Sequence, residues 1–146
     1  MKLVKQSGES RQYELNANEA NLLKILLKKF PFTGNDSAKI SKSDTGPKSA
    51  ERERLLNEYL AEHRKALKKQ AKHLASPDKL KQGKKSHWLT LSAEEREVLL
   101  QILNDIRVGC WQALVAPGTL DSDQARATDY LMNLTGYFEH YLTGQE

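Results

Sequence analysis

Apolar residues recur at every third or fourth position in four stretches of this 146-residue chain. That period belongs to an α-helix with one buried side, and it predicts helices over residues 16–30, 49–74, 92–116 and 121–142. The last two helices carry the strongest stripes. In the third helix the stripe consists of Leu99, Ile102, Leu103, Ile106, Cys110 and Leu114. The predicted fold is mainly α, an irregular bundle of about four helices within a single domain over residues 1–146.

Side chains that cap helix N-termini support these boundaries. Asn16 and Glu19, Ser92 and Glu95, and Asp121 and Gln124 each have the spacing of a capping box. Ser49 is predicted to cap the second helix. Interior glycines at Gly109 and Gly136 cost about 1 kcal/mol each relative to alanine, so either another helix approaches closely there or the cost is tolerated.

Two short strands are predicted at the start of the chain, over residues 2–5 and 11–15. Gly8 lies between them and permits the positive φ of a tight turn, so the segment predicts a β-hairpin. A lone hairpin is marginal in water and must pack on helices or pair with another chain. Residues 88–91 are predicted to form a short strand or a turn. The polar stretches 31–48 and 76–86 predict mobile loops.

The net charge of +4 conceals a strong asymmetry between the two ends of the chain. Residues 1–91 hold 20 basic and 10 acidic side chains, a net of +10, whereas residues 92–146 hold 3 and 9, a net of −6. The single cysteine, Cys110, cannot form an internal disulfide, which favours a cytoplasmic location. No apolar run predicts a signal peptide or a membrane span, so no membrane association is expected.

A basic tract over residues 64–85 is the most prominent candidate for binding. Its proposed contacts to an anion or nucleic acid are Arg64, Lys65, Lys68, Lys69, Lys72, Lys84 and Lys85. Clustered cations attract phosphate backbones through counterion release. The tract lacks interleaved aromatic residues, which argues against stacking on single strands. The alternative is a solvated surface, docked in part on the acidic C-terminal half.

A polar cluster in the third helix, consisting of Asn104, Asp105, Arg107 and Trp111, is the second candidate. It would either bind a ligand or partner, or form a hydrogen-bond network that fixes the helix register. The last helix carries a further polar and aromatic face. Its members are Arg126, Tyr130, Asn133, Tyr137 and His140. Tyrosine-rich faces suit interfaces, so a homodimer is a plausible expectation.

Catalytic and metal-binding motifs are not apparent. The four histidines have neither His-x-x-x-His nor Cys-x-x-Cys spacing, so no metal, cofactor or catalytic residue is predicted. An enzyme is the least favoured interpretation. A non-catalytic interaction or regulatory module is favoured, with partners that include a second copy, an acidic protein or a nucleic acid. The alternative function is a nucleic-acid-binding accessory protein that uses the lysine-rich tract.

The segment from Leu89 to Glu95, continued by Leu103-Asn104-Asp105-Ile106-Arg107-Val108-Gly109, resembles a bacterial family of unknown function, of the type found in actinobacteria. That family has a Leu-Asn-Asp-Leu-Arg helix after an acidic cap. The likeness covers about 20 residues. The lysine-rich middle and Gly109-Cys110-Trp111 depart from the family pattern. The resemblance implies a small helical domain and no particular activity.

Overall fold

The computed structural model describes residues 1–31, 47–116, 118 and 120–143. It contains four helices and four strands, and the prediction of a mainly α fold with an N-terminal hairpin is confirmed. The helices are α1 (Ala17–Lys29), α2 (Pro47–Leu74), α3 (Ala93–Val115) and α4 (Ser122–Leu142). The strands are β1 (Lys2–Ser7), β2 (Ser10–Leu15), β3 (Leu80–Gln82) and β4 (His87–Leu91).

Capping boxes begin three of the helices, as the spacing of the capping residues predicts. The side chains of Asn16, Ser92 and Asp121 accept from the backbone three residues later, and each bond is returned. Helix α2 begins at Pro47, two residues before the predicted cap at Ser49. Proline suits the first helical turn because the backbone N–H that it lacks has no intrahelical partner there.

The N-terminal hairpin is half of a four-stranded antiparallel sheet with the order β1-β2-β4-β3. Strand β2 pairs with β4, where Tyr13 lies opposite Leu89 and Gln12 opposite Thr90. The hairpin therefore obtains its support within the chain. Residues 76–86, for which the sequence predicts a loop throughout, contain β3, because Leu80 is buried against the core. The other predicted loop, 31–48, lies mostly outside the described residues.

One side of the sheet packs against the helices. Its five most buried side chains are no more than 2% exposed, and they are Tyr13, Leu15, Leu80, Leu89 and Leu91. They join a single cluster of buried apolar residues to which the sheet and all four helices contribute. The molecule thus has two layers, with helices on one side of the sheet and the opposite side facing away from them.

The apolar stripes that helical spacing predicts for α2 and α4 differ in part from the buried faces; the predicted stripes are Leu56, Leu60, His63, Leu67, Ala71 and Leu74 in α2, and Ala127, Leu131, Leu134, Phe138 and Tyr141 in α4. In α2, His63 is exposed and Leu56 is 40% exposed, so only the C-terminal half of this helix reaches the core. In α4, Ala127 is exposed, whereas Thr128 and Thr135 are buried. The two threonines can be buried because their hydroxyls donate to backbone carbonyls one turn earlier, at 2.8 Å and 2.6 Å.

Candidate functional site

The basic tract is divided between contacts within the fold and solvent. Arg64 on α2 places Nη2 3.5 Å from Oδ1 of Asp105 on α3. Lys79 places Nζ 2.8 Å from Oε2 of Glu95, at the start of α3. These two cations therefore dock the tract on the acidic C-terminal half. Arg64 is thus engaged within the fold, and its predicted contact to an external anion stays a prediction.

The other predicted contact residues of the tract are exposed, and they are Lys65, Lys68, Lys69, Lys72, Lys84 and Lys85. Within the described part of the chain, the ion pairs involve none of them. Lys84 and Lys85 form the tip of the β3–β4 hairpin, which is closed by the Gly83 N–H donating to the Ser86 carbonyl at 2.7 Å.

An apolar groove of about 330 Å³ lies between α1 and α2, next to these lysines. We call it the lysine-rimmed groove; it is lined by Leu27, Lys28, Phe30, Lys68, Ala71, Lys72 and Ala75. Leu27, Phe30 and Ala71 are buried and belong to the core. The three charged residues that line it are all exposed lysines. The arrangement joins an apolar floor to a purely cationic rim, and the residues come from two helices far apart in the sequence.

The predicted polar cluster of α3 is separated by the structure into two grooves. Asn104 and Asp105 line a groove of about 320 Å³ between α2 and α3, together with Arg64. Arg107 and Trp111 line a different groove of about 470 Å³ between α3 and α4. We call the second the α3–α4 groove; its other lining residues are Val108, Met132, Asn133 and Gly136.

Arg107 is held by polar contacts on both sides. Its Nη2 donates to Oδ1 of Asn104 at 3.0 Å, and its Nε lies 3.5 Å from Oε1 of Glu139 on α4. Burial raises the pKa of Glu139, and the charge of Arg107 opposes that rise. The contacts join Arg107 to Asn104 and to α4, and a role of the cluster in fixing helix register stays a prediction. Trp111 is 54% exposed at the edge of the α3–α4 groove.

The aromatic face of α4 is also exposed, with Tyr130 and Tyr137 at 55% and 40%. Sequence reasoning missed a polar cluster at Tyr137. Its hydroxyl donates to Glu19, which also accepts from the Met1 ammonium. Burial would raise the pKa of Glu19, but the ammonium, the Tyr137 hydroxyl and the Asn16 N–H together lower it. The pattern of α1 reveals only the capping role of Glu19, because its partner lies 118 residues away.

Reactive groups are few in the described residues. The Cys110 thiol is fully buried, and burial raises its pKa to about 11, which keeps it protonated and unreactive. Across residues 1–31, 47–116, 118 and 120–143, no group of three histidine, cysteine, aspartate or glutamate side chains could hold a metal ion. In the same part of the chain, no helix is long and apolar enough to cross a membrane.

No family model matches the chain, and searches of curated proteins and of solved structures found no similar protein. The resemblance to the family of unknown function therefore stays a prediction.

Proposed function

We propose that this protein is a non-catalytic interaction module that binds an acidic segment of a partner protein in the lysine-rimmed groove. The observation that carries the proposal is the lining of that groove. Lys28, Lys68 and Lys72 surround buried apolar residues, and no carboxylate lines it among the described residues. An apolar anchor flanked by aspartate or glutamate complements such a surface.

The floor of the groove supplies a rigid surface for the anchor. Phe30 is 2% exposed and Leu27 5% exposed, and both pack in the core cluster. A site whose apolar floor is already ordered does not have to be organised on binding, which reduces the entropic cost of association. Its volume of about 330 Å³ is at the small end of the range of ligand pockets and suits one large apolar side chain.

The rim supplies selectivity for an acidic partner. The acidic residues that face the tract, Glu95 and Asp105, are engaged by Lys79 and Arg64. The charges of Lys28, Lys68 and Lys72 remain uncompensated by ion pairs of the described residues. A partner with carboxylates beside its anchor would neutralise them, and a basic partner would be repelled.

The test is a charge-reversal exchange. Two fluorescein-labelled helical peptides share one leucine and phenylalanine stripe but have either glutamate or lysine flanks. Fluorescence anisotropy should show binding of the glutamate peptide to the wild type. The triple change Lys28→Glu, Lys68→Glu, Lys72→Glu should weaken this binding by about 10- to 100-fold and admit the lysine peptide.

A matched control places the same three charge reversals outside the groove, one on α1 and two on α2. Lys29→Glu with Lys65→Glu and Lys69→Glu changes three exposed lysines that do not line the groove. This variant should bind the glutamate peptide within about threefold of the wild type, because only screened long-range attraction is lost. Equal weakening by both variants would show that net charge, not the groove, selects the peptide.

A nucleic-acid-binding accessory protein is the second candidate function. The supporting observation is that four consecutive cations of α2 are exposed, and they are Lys65, Lys68, Lys69 and Lys72. Their changes to glutamate should abolish retention on heparin and on double-stranded DNA, and wild-type affinity should fall steeply with salt. Absence of wild-type retention at low salt would exclude this function.

Self-association is supported by two exposed aromatic side chains, Trp111 in the α3–α4 groove and Tyr130 on α4. Light scattering coupled to size-exclusion chromatography is expected to give the mass of a dimer. Trp111→Lys with Tyr130→Lys should return the mass of a monomer, because it places buried charge at the contact. A monomeric wild type at high concentration would refute the dimer.

A further inference from the structure

The side of the sheet that faces away from the helices carries cations and one tryptophan. Successive side chains of a strand point to opposite faces, so the residues between the buried ones share this outer sheet face. The strand register places four of them in one row, namely Lys2, Glu14, Trp88 and Lys81. Lys5, Gln12 and Thr90 form a second row. Lys2, Lys5 and Lys81 are exposed, and Trp88 is half-buried.

Trp88 is fixed against the β3–β4 hairpin. A Cβ added at Gly83 would lie 3.2 Å from Nε1 of Trp88 and 2.9 Å from the carbonyl oxygen of Ser86. The indole thus packs against the backbone of the turn, where glycine leaves the space for it. The turn holds Lys84 and Lys85 at its tip, so the sheet brings an aromatic ring and the end of the basic tract together.

The charge of this face is strongly positive. Lys2, Lys5 and Lys81 lie on its strands, and Lys84 and Lys85 project from the adjoining turn. Within the described residues, none of these five lysines forms an ion pair. Glu14 is the acidic residue in the first row, and its Oε2 accepts from the Ser86 hydroxyl at 2.8 Å.

We propose that the outer sheet face binds single-stranded nucleic acid, with Trp88 stacking on a base and Lys81, Lys84 and Lys85 contacting the phosphates. An exposed antiparallel sheet with an aromatic ring among cations presents unpaired bases with a flat stacking surface. Double-stranded DNA has its bases stacked inside, so the ring would find no partner there. The inference goes beyond the proposed function because it concerns another surface and another class of ligand.

Fluorescence of Trp88 provides a direct test. The chain has two tryptophans, so Trp111→Phe leaves Trp88 as the single indole. Titration of this variant with a short oligothymidine at low salt should quench its emission, and the affinity should fall with salt. Anisotropy of the labelled oligonucleotide should show that Trp88→Leu lowers affinity about 10- to 100-fold and that Trp88→Phe retains most of it.

Two comparisons make the assignment decisive, with circular dichroism confirming that each variant is folded. Lys24→Gln with Lys29→Gln, which changes two lysines of α1, should leave quenching in place. Lys81→Gln with Lys84→Gln and Lys85→Gln should remove most of it. A duplex of the same length should compete more weakly than the single strand. Absence of quenching at low salt, equal affinity of Trp88→Leu and wild type, or equal competition by the duplex would overturn the proposal.

Discussion

The lysine-rimmed groove and the α3–α4 groove differ in what their cations contact. In the α3–α4 groove the single cation, Arg107, is held by Asn104 and Glu139. In the lysine-rimmed groove, the ion pairs of the described residues include none of the three lysines. The first groove therefore resembles a contact within the fold, whereas the second presents charge that no acidic side chain of the described residues neutralises by an ion pair.

This difference shows that the location of acidic side chains, not the number of basic ones, decides which cations are available. Glu95, Asp105 and Glu139 lie on the two C-terminal helices and engage Lys79, Arg64 and Arg107. Among the described residues, Lys68 and Lys72, which follow Arg64 along α2, form no ion pair of this kind. Arginine and lysine also differ in that arginine forms several directed hydrogen bonds, which suits it to fixing one helix on another.

The largest expected effect distinguishes the floors of the two grooves. Phe30→Ala removes a side chain that is 2% exposed and should lower the free energy of unfolding by about 3–5 kcal/mol. Met132→Ala in the α3–α4 groove should cost about 1 kcal/mol, because Met132 is only partly buried. Urea unfolding followed by circular dichroism measures both. Similar losses would mean that the two floors are equally integrated in the core.

The next effect on stability distinguishes a lysine that forms an ion pair within the fold from an exposed lysine. Lys79→Ala should lower the free energy of unfolding by about 1 kcal/mol, because it removes a short, partly buried bond to Glu95. Lys69→Ala changes an exposed residue of the same tract and should have an effect within about 0.5 kcal/mol of zero. An equal loss in the two variants would contradict the division of the tract into internal and free cations.

The pH dependence of stability should differ between Glu95 and Glu139, two partly buried acids that contact cations. Burial favours a higher pKa at Glu95, but Lys79 and the Ser92 N–H outweigh it and lower the pKa below its ordinary value of 4.5. The stability that Glu95 contributes is therefore fully present above pH 4.5 and is lost as the pH falls from there through the lowered pKa. At Glu139 the pKa is raised above 4.5. The free energy of unfolding should therefore increase as the pH falls through the raised pKa towards 4.5.

Glutamine substitutions measure the two contributions. Glu95→Gln should lower stability at about pH 7 by about 1–2 kcal/mol and flatten the acid limb of the stability profile. Glu139→Gln should be neutral or stabilising by up to about 1 kcal/mol at about pH 7, because it removes a buried charge that Arg107 compensates only in part. A loss of more than about 1 kcal/mol on Glu139→Gln, which exceeds the contribution of a typical exposed ion pair, would show that attraction to Arg107 outweighs the cost of burying the charge.

Local patterns predicted most of the elements, because helices, caps and tight turns depend on residues near one another in the chain. The boxes at Asn16, Ser92 and Asp121 are examples. The candidate sites depend on pairings between distant residues. Neither the meeting of Lys28 with Lys68 and Lys72 nor that of Trp88 with Lys81 follows from spacing alone. The sequence argues against base stacking because no aromatic residue lies within the basic tract. The pairing of β3 with β4 places Trp88 opposite Lys81, so an aromatic ring lies beside the tract in the fold.

The smallest effect tests the space in the α3–α4 groove. A Cβ added at Gly136 would meet nothing within 4 Å, so the absence of a side chain there does not serve a close helix contact. Gly136→Ala should raise the free energy of unfolding by about 0.5–1 kcal/mol, because alanine favours the helix and restricts the unfolded chain. Thermal unfolding measures the gain, and peptide binding to the lysine-rimmed groove should not change. A loss of stability would mean that this groove is occupied or closed in solution, and a change in peptide binding would mean that the two grooves do not act separately.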